Sequence, residues 1–319
     1  MKSNKIFVPP IKIQGIKTKL VPWILENISS DFDASQGKWV EPFLGSGVVG
    51  FNFSAKNALF ADTNPHIINF YNHIKQGKIT SGIAKSFLEH EGKFLSQKGD
   101  KHYYYIRERF NESQKPLDFL FLNRSCFNGM IRFNSSLKFN VPYGHKPNRF
   151  AQSYVTKITN QIKFVEIRMK VSNWEFKCQS FKKTLATATK NDFVYCDPPY
   201  IGRHVDYYDS WNADNEFALH KLLMDLKANF ILSTWDRNQY RTNHYLEILW
   251  SDCHKVNKTH FYHIGGKEEN RNEMIEALVM NYISNKSAKL VEYKNEEIQL
   301  KLAMDREAIY KKRKLVLKK

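Results

Sequence analysis

The chain has 319 residues, 42% of them hydrophobic, enough for a substantial core in one large domain with an insertion or in two modest domains. Its 49 Lys and Arg against 32 Asp and Glu give a formal charge of +17, which indicates a polyanionic partner. The first residues lack the apolar core of a signal peptide, and no run approaches the roughly 18 apolar residues that span a bilayer. We therefore expect a cytoplasmic protein with no membrane partner.

The four cysteines form no C-x-x-C pair, which argues against a disulfide framework and a zinc site, and we predict no metal.

Short apolar runs alternate with helical stretches along most of the chain. GKWVEPF (37–43) and NALFAD (57–62) have the composition of strands, and PHIINFYNHIK (65–75) has the apolar periodicity of a helix. Four later strands are predicted at FKCQSF (176–181), DFVYC (192–196), ANFILST (228–234) and EALVMNY (276–282). This alternation predicts an α/β fold with a mainly parallel sheet.

The region between residues 69 and 159 differs from the rest and is predicted to be an inserted subdomain of helices and a β-hairpin. Its segment 119–150 contains five Lys or Arg and no acid, with Asn-Gly and further Asn punctuation that favours tight turns. Residues 1–68 and 160–285 would then form the main domain. The tail 286–319 has eleven Lys or Arg against five acids, so it is either a non-specific phosphate-binding arm or a solvated end.

A glycine motif, EPFLGSG (41–47), directly follows the first predicted strand. Asp62, at the end of the second strand, lies 21 positions beyond Glu41, which is the spacing of nucleoside-binding sites. Taken alone, the motif is equally consistent with an ordinary strand-to-helix turn. Its third glycine is displaced to Gly50, so a nucleoside cofactor without phosphates, such as S-adenosylmethionine, fits better than a dinucleotide.

A second motif, D-P-P-Y at residues 197–200, follows the strand FVYC. The prolines stiffen the turn and remove two N–H donors, so that the Asp197 carboxylate and the Pro198 carbonyl can both accept hydrogen bonds. Two acceptors suit an exocyclic amine such as adenine N6, whose lone pair they would localise for attack on a methyl sulfonium. Tyr200 could stack on a base that has left the duplex.

Taken in order, EPFLGSG, ADTNP, FLNRSCFNG, FNVPYG and DPPY resemble the Dam-type, alpha-group (D12 class) DNA adenine-N6 methyltransferases. This resemblance covers roughly residues 5–283. It implies a Rossmann-like methyltransferase fold that uses S-adenosylmethionine, with a target-recognition domain inserted at 69–159. The longer stretches FVPPIKIQGIKTKLVP, PLDFLFLNRSCFNGMIRFN, KPNRFAQ and CDPPYIGRHVDYY are similar to modification methyltransferases of the EcoRV type, which implies the site GATATC.

The resemblance also assigns roles to individual residues. The catalytic residues would be Asp197, Pro198, Pro199 and Tyr200. The cofactor site would comprise Lys17, Glu41, Phe43, Gly45, Gly47, Asp62, Phe181 and Asp197. Ile13 stands where Dam enzymes place a tryptophan over the adenine of the cofactor, so Phe43 and Phe181, at predicted strand ends, either replace that tryptophan or belong to the core.

The predicted DNA contacts lie mainly in the basic inserted segment, whose charge suits a DNA groove; the resemblance adds Lys12, which matches a lysine that Dam-type enzymes use near the first base pair. They are Lys12, Arg124, Asn128, Arg132, Lys138, Lys146 and Arg149. Each basic residue among them would either read a base edge or contact phosphate. RHVDYY (203–208) would either close over the flipped base or form a solvated surface.

The favoured function is therefore site-specific methylation of adenine N6 in duplex DNA, within a restriction-modification system. A separate restriction endonuclease would act on the same site without a stable complex. The alternatives are a solitary Dam-like enzyme with the site GATC, an RNA or protein N-methyltransferase, and a catalytically silent DNA-binding module. The alpha-group motif order and the basic insertion favour DNA over RNA, and the intact Asp197 and Tyr200 disfavour a silent module.

Overall fold

Seven strands form one sheet in the computed structural model, which describes residues 6–201, 211–263 and 271–284. They are β1 (Lys38–Glu41), β2 (Asn57–Asp62), β3 (Asn173–Cys178), β4 (Phe193–Cys196), β5 (Asn229–Asn238), β6 (His254–His263) and β7 (Arg271–Met280). Their order is β3-β2-β1-β4-β5-β7-β6. The first five strands pair in parallel, and β7 is antiparallel to both of its neighbours. The predicted α/β, Rossmann-like fold is confirmed.

Helices cover both faces of the sheet and also build the insertion. They are α1 (Val21–Glu26), α2 (Val48–Phe53), α3 (Pro65–Lys75), α4 (Ser81–Lys98), α5 (Asp100–Ser113), α6 (Pro116–Ser125), α7 (Gln152–Val171), α8 (Phe181–Leu185), α9 (Ala213–Met224) and α10 (Tyr245–Ile248). Successive strand residues point to opposite faces. In β4, Phe193 packs with Trp39 of β1 in a cluster on one face, whereas Val194 packs with Val40 in a cluster on the other. Strands buried on both faces explain the nearly continuous apolar runs in the sequence.

The sequence ADTNP fixes the end of β2 and the start of α3. Asp62 ends the strand, and the Asn64 side chain accepts hydrogen bonds from the backbone N–H groups of His66 (3.0 Å) and Ile67 (3.4 Å). Pro65 occupies the first turn, where its missing N–H costs nothing. The helix predicted at 65–75 is observed with those bounds.

Three sequence predictions for the other strands need correction. The strand predicted at 176–181 is β3, which begins at Asn173 and ends at Cys178. Phe181 is the first residue of α8, because the Ser180 side chain accepts the N–H of Lys183 and caps that helix. Phe181 is therefore not at a strand end. The strand predicted at 276–282 begins earlier, at Arg271, and β6 was not predicted at all.

The predicted β-hairpin is present only as two isolated antiparallel bridges. They pair Cys126 with Tyr143 and Phe133 with Phe139, without regular strands. The reason is local: the Asn134 side chain accepts the backbone N–H groups of Ser136 (3.0 Å) and Lys138 (2.9 Å). Such side-chain bonds compete with a β-ladder and replace it by a tight turn.

The insertion shares its core with the main domain. One apolar cluster runs from Trp39 of β1 through Phe70 of α3 to Leu88 and Phe121 in the insertion. The helices α3 and α7 run without interruption through positions 69 and 159. The division of the chain at those positions stays a prediction, as does the tail at 286–319, which lies outside the described residues. Within the described part of the chain, no helix is long and apolar enough to cross a membrane.

We predict that Gly50→Ala destabilises the protein by about 1–3 kcal/mol through overpacking. A Cβ at Gly50 would lie 2.4 Å from Glu41 Oε2 and 2.4 Å from a ring carbon of Phe60, both of them buried. Denaturant unfolding measures the change. The matched control is Gly82→Ala in α4, where the nearest atom is 3.8 Å away. We expect that substitution to be neutral or to stabilise by up to about 1 kcal/mol, and equal effects at both positions would contradict the prediction.

Candidate active site

The carboxyl ends of β1 and β4 lie side by side in the middle of the sheet. The chain turns from β1 toward β2 on one side and from β4 toward β5 on the other, so this is the topological switch point of the sheet. In open α/β sheets the crevice at such a point binds ligands. The glycine motif follows β1 and the D-P-P-Y turn follows β4. Two motifs that are far apart in sequence therefore border one crevice.

A buried cluster surrounds the D-P-P-Y turn. The Lys17 ammonium lies 3.3 Å from Asp197 Oδ1 and donates a hydrogen bond of 2.7 Å to the Tyr200 hydroxyl. The Tyr200 hydroxyl in turn donates to Oε2 of Glu276 on β7. Lys17, Tyr200 and Glu276 are 4%, 8% and 0% exposed, whereas the Asp197 side chain is 23% exposed. Of the four side chains, Asp197 is thus the one that faces the crevice.

The electrostatics of this cluster are set by burial and by two opposing neighbours. Burial raises the pKa of Asp197, Lys17 lowers it and Glu276 raises it, so that the pKa is about 6. Further polar groups that face Asp197 are Glu41 and Tyr195. At neutral pH the Asp197 carboxylate is ionised and can accept hydrogen bonds. Because its pKa is close to neutrality, it can also take up and release a proton.

Glu41 lies beneath the crevice rather than in it. Its side chain is 2% exposed, and Oε2 accepts a hydrogen bond of 2.9 Å from Trp39 Nε1. Burial raises the pKa of Glu41 to about 8 against the effect of that bond, with repulsion from Asp197 and Asp62 adding to the rise. This rise favours the protonated form of Glu41, which can donate a hydrogen bond. Its contact with a cofactor stays a prediction.

The loop after β1 and the end of β2 fit a nucleoside. Asp62 Oδ2 accepts the Gly45 N–H at 2.9 Å and Oδ1 accepts the Asn64 N–H at 2.8 Å, so the carboxylate is held rigidly at the strand end. Each oxygen has a second lone pair that can accept a ribose hydroxyl. Gly45 (φ 51°) and Gly47 (φ 79°) adopt backbone conformations that favour glycine. This arrangement fits the adenosine part of S-adenosylmethionine.

Three aromatic rings form one cluster near this loop. Phe43 stacks on Phe181 with ring centroids 5.5 Å apart, and Trp211 contacts each of them at 5.5 Å. Phe181 is 7% exposed, whereas Phe43 and Trp211 are half-buried. Ile13 approaches Gly45 on another side of the loop, since a Cβ at Gly45 would lie 3.4 Å from its Cδ1. Phe43 thus remains a candidate for cofactor stacking, and Trp211 is a candidate that the sequence did not suggest.

Glu276 is the residue of the site that sequence reasoning missed. It stands between Ile275 and the apolar run 277–280, with Met274, Leu278 and Met280 on the same face of β7. A carboxylate is almost never fully buried without a partner, so this position carried a signal. Its partner, Tyr200, is 76 residues away in sequence and could not be identified without the fold.

Four of the predicted DNA-binding residues lie at or near the surface of the insertion. Asn128, Lys138 and Lys146 are exposed. Arg132 is half-buried, and its Nε donates to Asn140 Oδ1 at 2.8 Å. Their contacts with DNA stay predictions. The segment RHVDYY (203–208) lies outside the described residues.

Arg124 requires a correction. Its side chain is 3% exposed, Nε donates to the Pro10 carbonyl at 2.7 Å, and Nη2 donates to Gln161 Oε1 at 2.6 Å. A guanidinium enclosed in this way cannot reach a base edge. Arg124 instead holds the N-terminal segment against α6 and α7. Lys12 and Arg149 lie beside it, half-buried.

The strand order, the glycine loop with its strand-end carboxylate and the acidic turn at the switch point define an α/β methyltransferase. The model of the D12 class N6 adenine-specific DNA methyltransferase family matches residues 14–269, and the chain belongs to that family. The family implies S-adenosylmethionine as the methyl donor, and Asp62, Gly45 and Gly47 fit its adenosine part.

Curated relatives agree with this family. A DNA adenine methylase of Haemophilus influenzae is 32% identical over 229 residues, covering 68% of this chain and 73% of that protein. A DNA adenine methylase of Vibrio cholerae is 36% identical over 226 residues, covering 69% and 73%. The type II methyltransferase M.FokI of Planomicrobium okeanokoites is 27% identical over 292 residues, covering 88% of this chain but 44% of that protein.

The pH dependence of methyl transfer tests the role of Asp197 and of its buried neighbour. Because an ionised Asp197 is required, we expect the single-turnover rate to be constant above about pH 7, to be half-maximal near the pKa of about 6, and to fall about tenfold per pH unit below about pH 5. Glu276→Gln removes the repulsion that raises this pKa while retaining an acceptor for Tyr200. The midpoint should therefore move to lower pH.

The control for this measurement is Glu216→Gln. Glu216 is also a buried carboxylate with an aromatic donor, since it accepts Trp211 Nε1 at 2.8 Å, but it does not act on Asp197. The Glu216→Gln midpoint should stay at that of the wild type. A Glu276→Gln midpoint that also stays there would show that Glu276 serves only packing.

Asp62→Asn should weaken S-adenosylmethionine binding by about 1–3 kcal/mol, because a charged acceptor of ribose hydroxyls is lost. Titration calorimetry measures the dissociation constant. Asp192→Asn is the matched control, since Asp192 also accepts two backbone N–H groups, from Lys38 and Thr189 at 2.8 Å each, but at the other end of β4. An unchanged dissociation constant for Asp62→Asn would move the ribose site elsewhere.

Proposed function

We propose that this D12 class enzyme methylates adenine N6 within the duplex site GATATC, on a base rotated out of the helix, as the modification enzyme of a restriction-modification system. One observation supports the catalytic part of the proposal: Asp197 is the exposed member of an otherwise buried cluster at the switch point of the sheet. A planar base entering the crevice there would lie beside the loop that we predict to bind the adenosine of the cofactor.

The mechanism follows from the acceptors at the turn. The Asp197 carboxylate and the Pro198 carbonyl accept the two N6 protons, which localises the lone pair that the adenine ring otherwise withdraws. Bound S-adenosylmethionine supplies an electrophilic methyl group on a sulfonium. The bond between N6 and the methyl carbon would form as the carbon–sulfur bond breaks, with a neutral thioether as the leaving group. One N6 proton would pass to Asp197 and from there to water, which a pKa of about 6 permits at neutral pH.

Lys17 and Glu276 act on this reaction through the groups that they hold. Lys17 neutralises and orients Asp197 and also donates to the Tyr200 hydroxyl. Glu276 on β7 accepts a hydrogen bond from the same hydroxyl. The Tyr200 hydroxyl is therefore held between Lys17 and Glu276. Because Tyr200 is 8% exposed and the Lys17 ammonium lies 4.4 Å from its ring centroid, stacking of a base on this ring stays a prediction.

The recognition site is supported by sequence alone. The stretches PLDFLFLNRSCFNGMIRFN and CDPPYIGRHVDYY resemble EcoRV-type enzymes, and M.FokI shows that type II methyltransferases occur among the relatives. The relatives named DNA adenine methylases favour a second candidate, a solitary Dam-like enzyme with another site such as GATC. An RNA substrate is the third candidate.

The test is to express the chain in a host without DNA methylation and to sequence every modified adenine. We expect protection of plasmid DNA from the nuclease that cleaves unmodified GATATC, with the first adenine methylated. Modification of GATC alone would support the solitary enzyme. Methyl transfer to RNA and not to duplex DNA would contradict the proposal.

Asp197→Asn is the companion variant, because it removes the charge and replaces one acceptor oxygen by a donor. Its methyl transfer should fall by at least about 100-fold, a barrier increase of about 2.7 kcal/mol or more. Duplex binding, measured by fluorescence anisotropy, should stay near that of the wild type since Asp197 is assigned to the amine and not to phosphate. Methyl transfer within about tenfold of wild type would refute the assignment.

A further inference from the structure

A group of cations converges on one phenol at the border between the N-terminal segment and the insertion. Arg149 Nη2 donates to the Tyr154 hydroxyl at 2.6 Å, and Arg124 Nη1 donates to it at 3.3 Å. Lys12 faces the same hydroxyl. The Arg149 guanidinium also lies over the Tyr154 ring, 4.1 Å from its centroid. We call these four residues the Tyr154 cluster.

Within the described residues, no acid balances the charges of the Tyr154 cluster. Across residues 6–201, 211–263 and 271–284, no salt bridge joins its cations to a carboxylate, and the first turn of α7 contains no acid. Burial lowers the pKa of Lys12, and Arg149 and Arg124 lower it further. Burial alone would raise the pKa of Tyr154, but the surrounding cations outweigh that effect and lower it. Positive charges that are held close together and partly out of water repel one another, so binding of an anion between them is favoured.

The cluster is rigidly built, which distinguishes it from a mobile basic surface. The Asn123 side chain bonds both the N–H (2.8 Å) and the carbonyl (2.9 Å) of Lys12. A Cβ at Gly129 would lie 2.7 Å from Lys12 Cδ, so glycine is needed there for the Lys12 side chain to pass. Arg149 Nε donates to the Arg124 carbonyl at 2.8 Å. The cations are thus held in place before any ligand arrives.

The side chains of the Tyr154 cluster differ in how accessible they are to an approaching anion. Arg124 is buried, whereas Lys12, Arg149 and Tyr154 are half-buried. The two bonds of Arg149 described above use two of its five N–H donors. A phosphodiester has one negative charge and two oxygens that match a guanidinium fork beside a hydroxyl.

We propose that Arg149 and Tyr154, with Lys12 beside them and Arg124 behind, bind one phosphate of the DNA backbone. The contact positions the duplex on the insertion and reads no base. The inference rests on the proposed DNA function and assigns the substrate's phosphate to a particular site. Base readout by these residues and a purely internal role are the competing explanations.

Arg149→Gln tests the phosphate site by the salt dependence of DNA binding. Each phosphate contact contributes about 0.9 to the slope of log affinity against log salt. We expect Arg149→Gln to reduce this slope by about 1 and to weaken binding equally for duplexes with and without the methylation site. Lys170→Gln removes the same charge at the other end of α7 and should change the slope less. Thermal unfolding checks that both variants are folded.

Duplexes with one neutral methylphosphonate at successive positions locate the contact. The wild type should lose affinity at one particular phosphate, and Arg149→Gln should show no loss at that position while retaining the losses elsewhere. Tyr154→Phe keeps the ring under Arg149 and removes the hydroxyl, so it should reduce the loss at the same phosphate.

Three outcomes would overturn the proposal. A weakening confined to the duplex that contains the methylation site would show base readout. An unchanged salt slope, or an identical methylphosphonate profile in wild type and Arg149→Gln, would show an internal role. Because wild-type methylation of duplex DNA is measured in the same preparations, failure of the phosphate site is distinguishable from failure of the proposed function.

Discussion

The ion pair between Lys17 and Asp197 is the interaction on which the rest of the site depends. A lysine that is 4% exposed is tolerated only if its charge is paired and its donors are satisfied. Asp197 and the Tyr200 hydroxyl meet that requirement, and Glu276 completes it from a third segment of the chain. Three segments far apart in sequence are thereby joined at the carboxyl edge of the sheet. The switch point between β1 and β4 provides the crevice, and the buried charge of Lys17 fixes the position of the Asp197 carboxylate in it.

The sequence predicted the central strands well because they are buried on both faces. β1, β2 and β4 read as apolar runs, and the motifs that follow them locate the crevice. β6 was missed since HKVNKTHFYH mixes basic and polar residues with few apolar ones. It is an edge strand, and edge strands carry such charges to avoid pairing with other chains. The bridges of the insertion were overpredicted as a hairpin because asparagine side chains there replace the ladder.

Residues of the site were predictable where a motif carries the chemistry, as for Asp197, Asp62 and Gly45. They were not predictable where long-range packing decides. Arginine is rarely buried, so Arg124 in a basic segment was interpreted as a DNA contact, whereas the fold encloses it between the Pro9 and Pro10 carbonyls and α7. The roles of Tyr154 and Glu276 depend on hydrogen-bond partners in other helices, strands and loops, and no local sequence pattern identifies those partners.

The shared core of the insertion and the main domain has a consequence for the exchange of sequence specificity between related enzymes. The apolar side chains of α3 and α7 belong at once to the layer over the sheet and to the layer under the insertion. A graft cut at residues 69 and 159 would join half-helices whose buried faces were shaped for different neighbours, and overpacking or cavities would follow. Functional chimeras should therefore carry both helices whole, with junctions in the loops before Pro65 and after Val171. In evolution, too, a new specificity would arise more readily by substitution of exposed loop residues than by recombination of the insertion as a block.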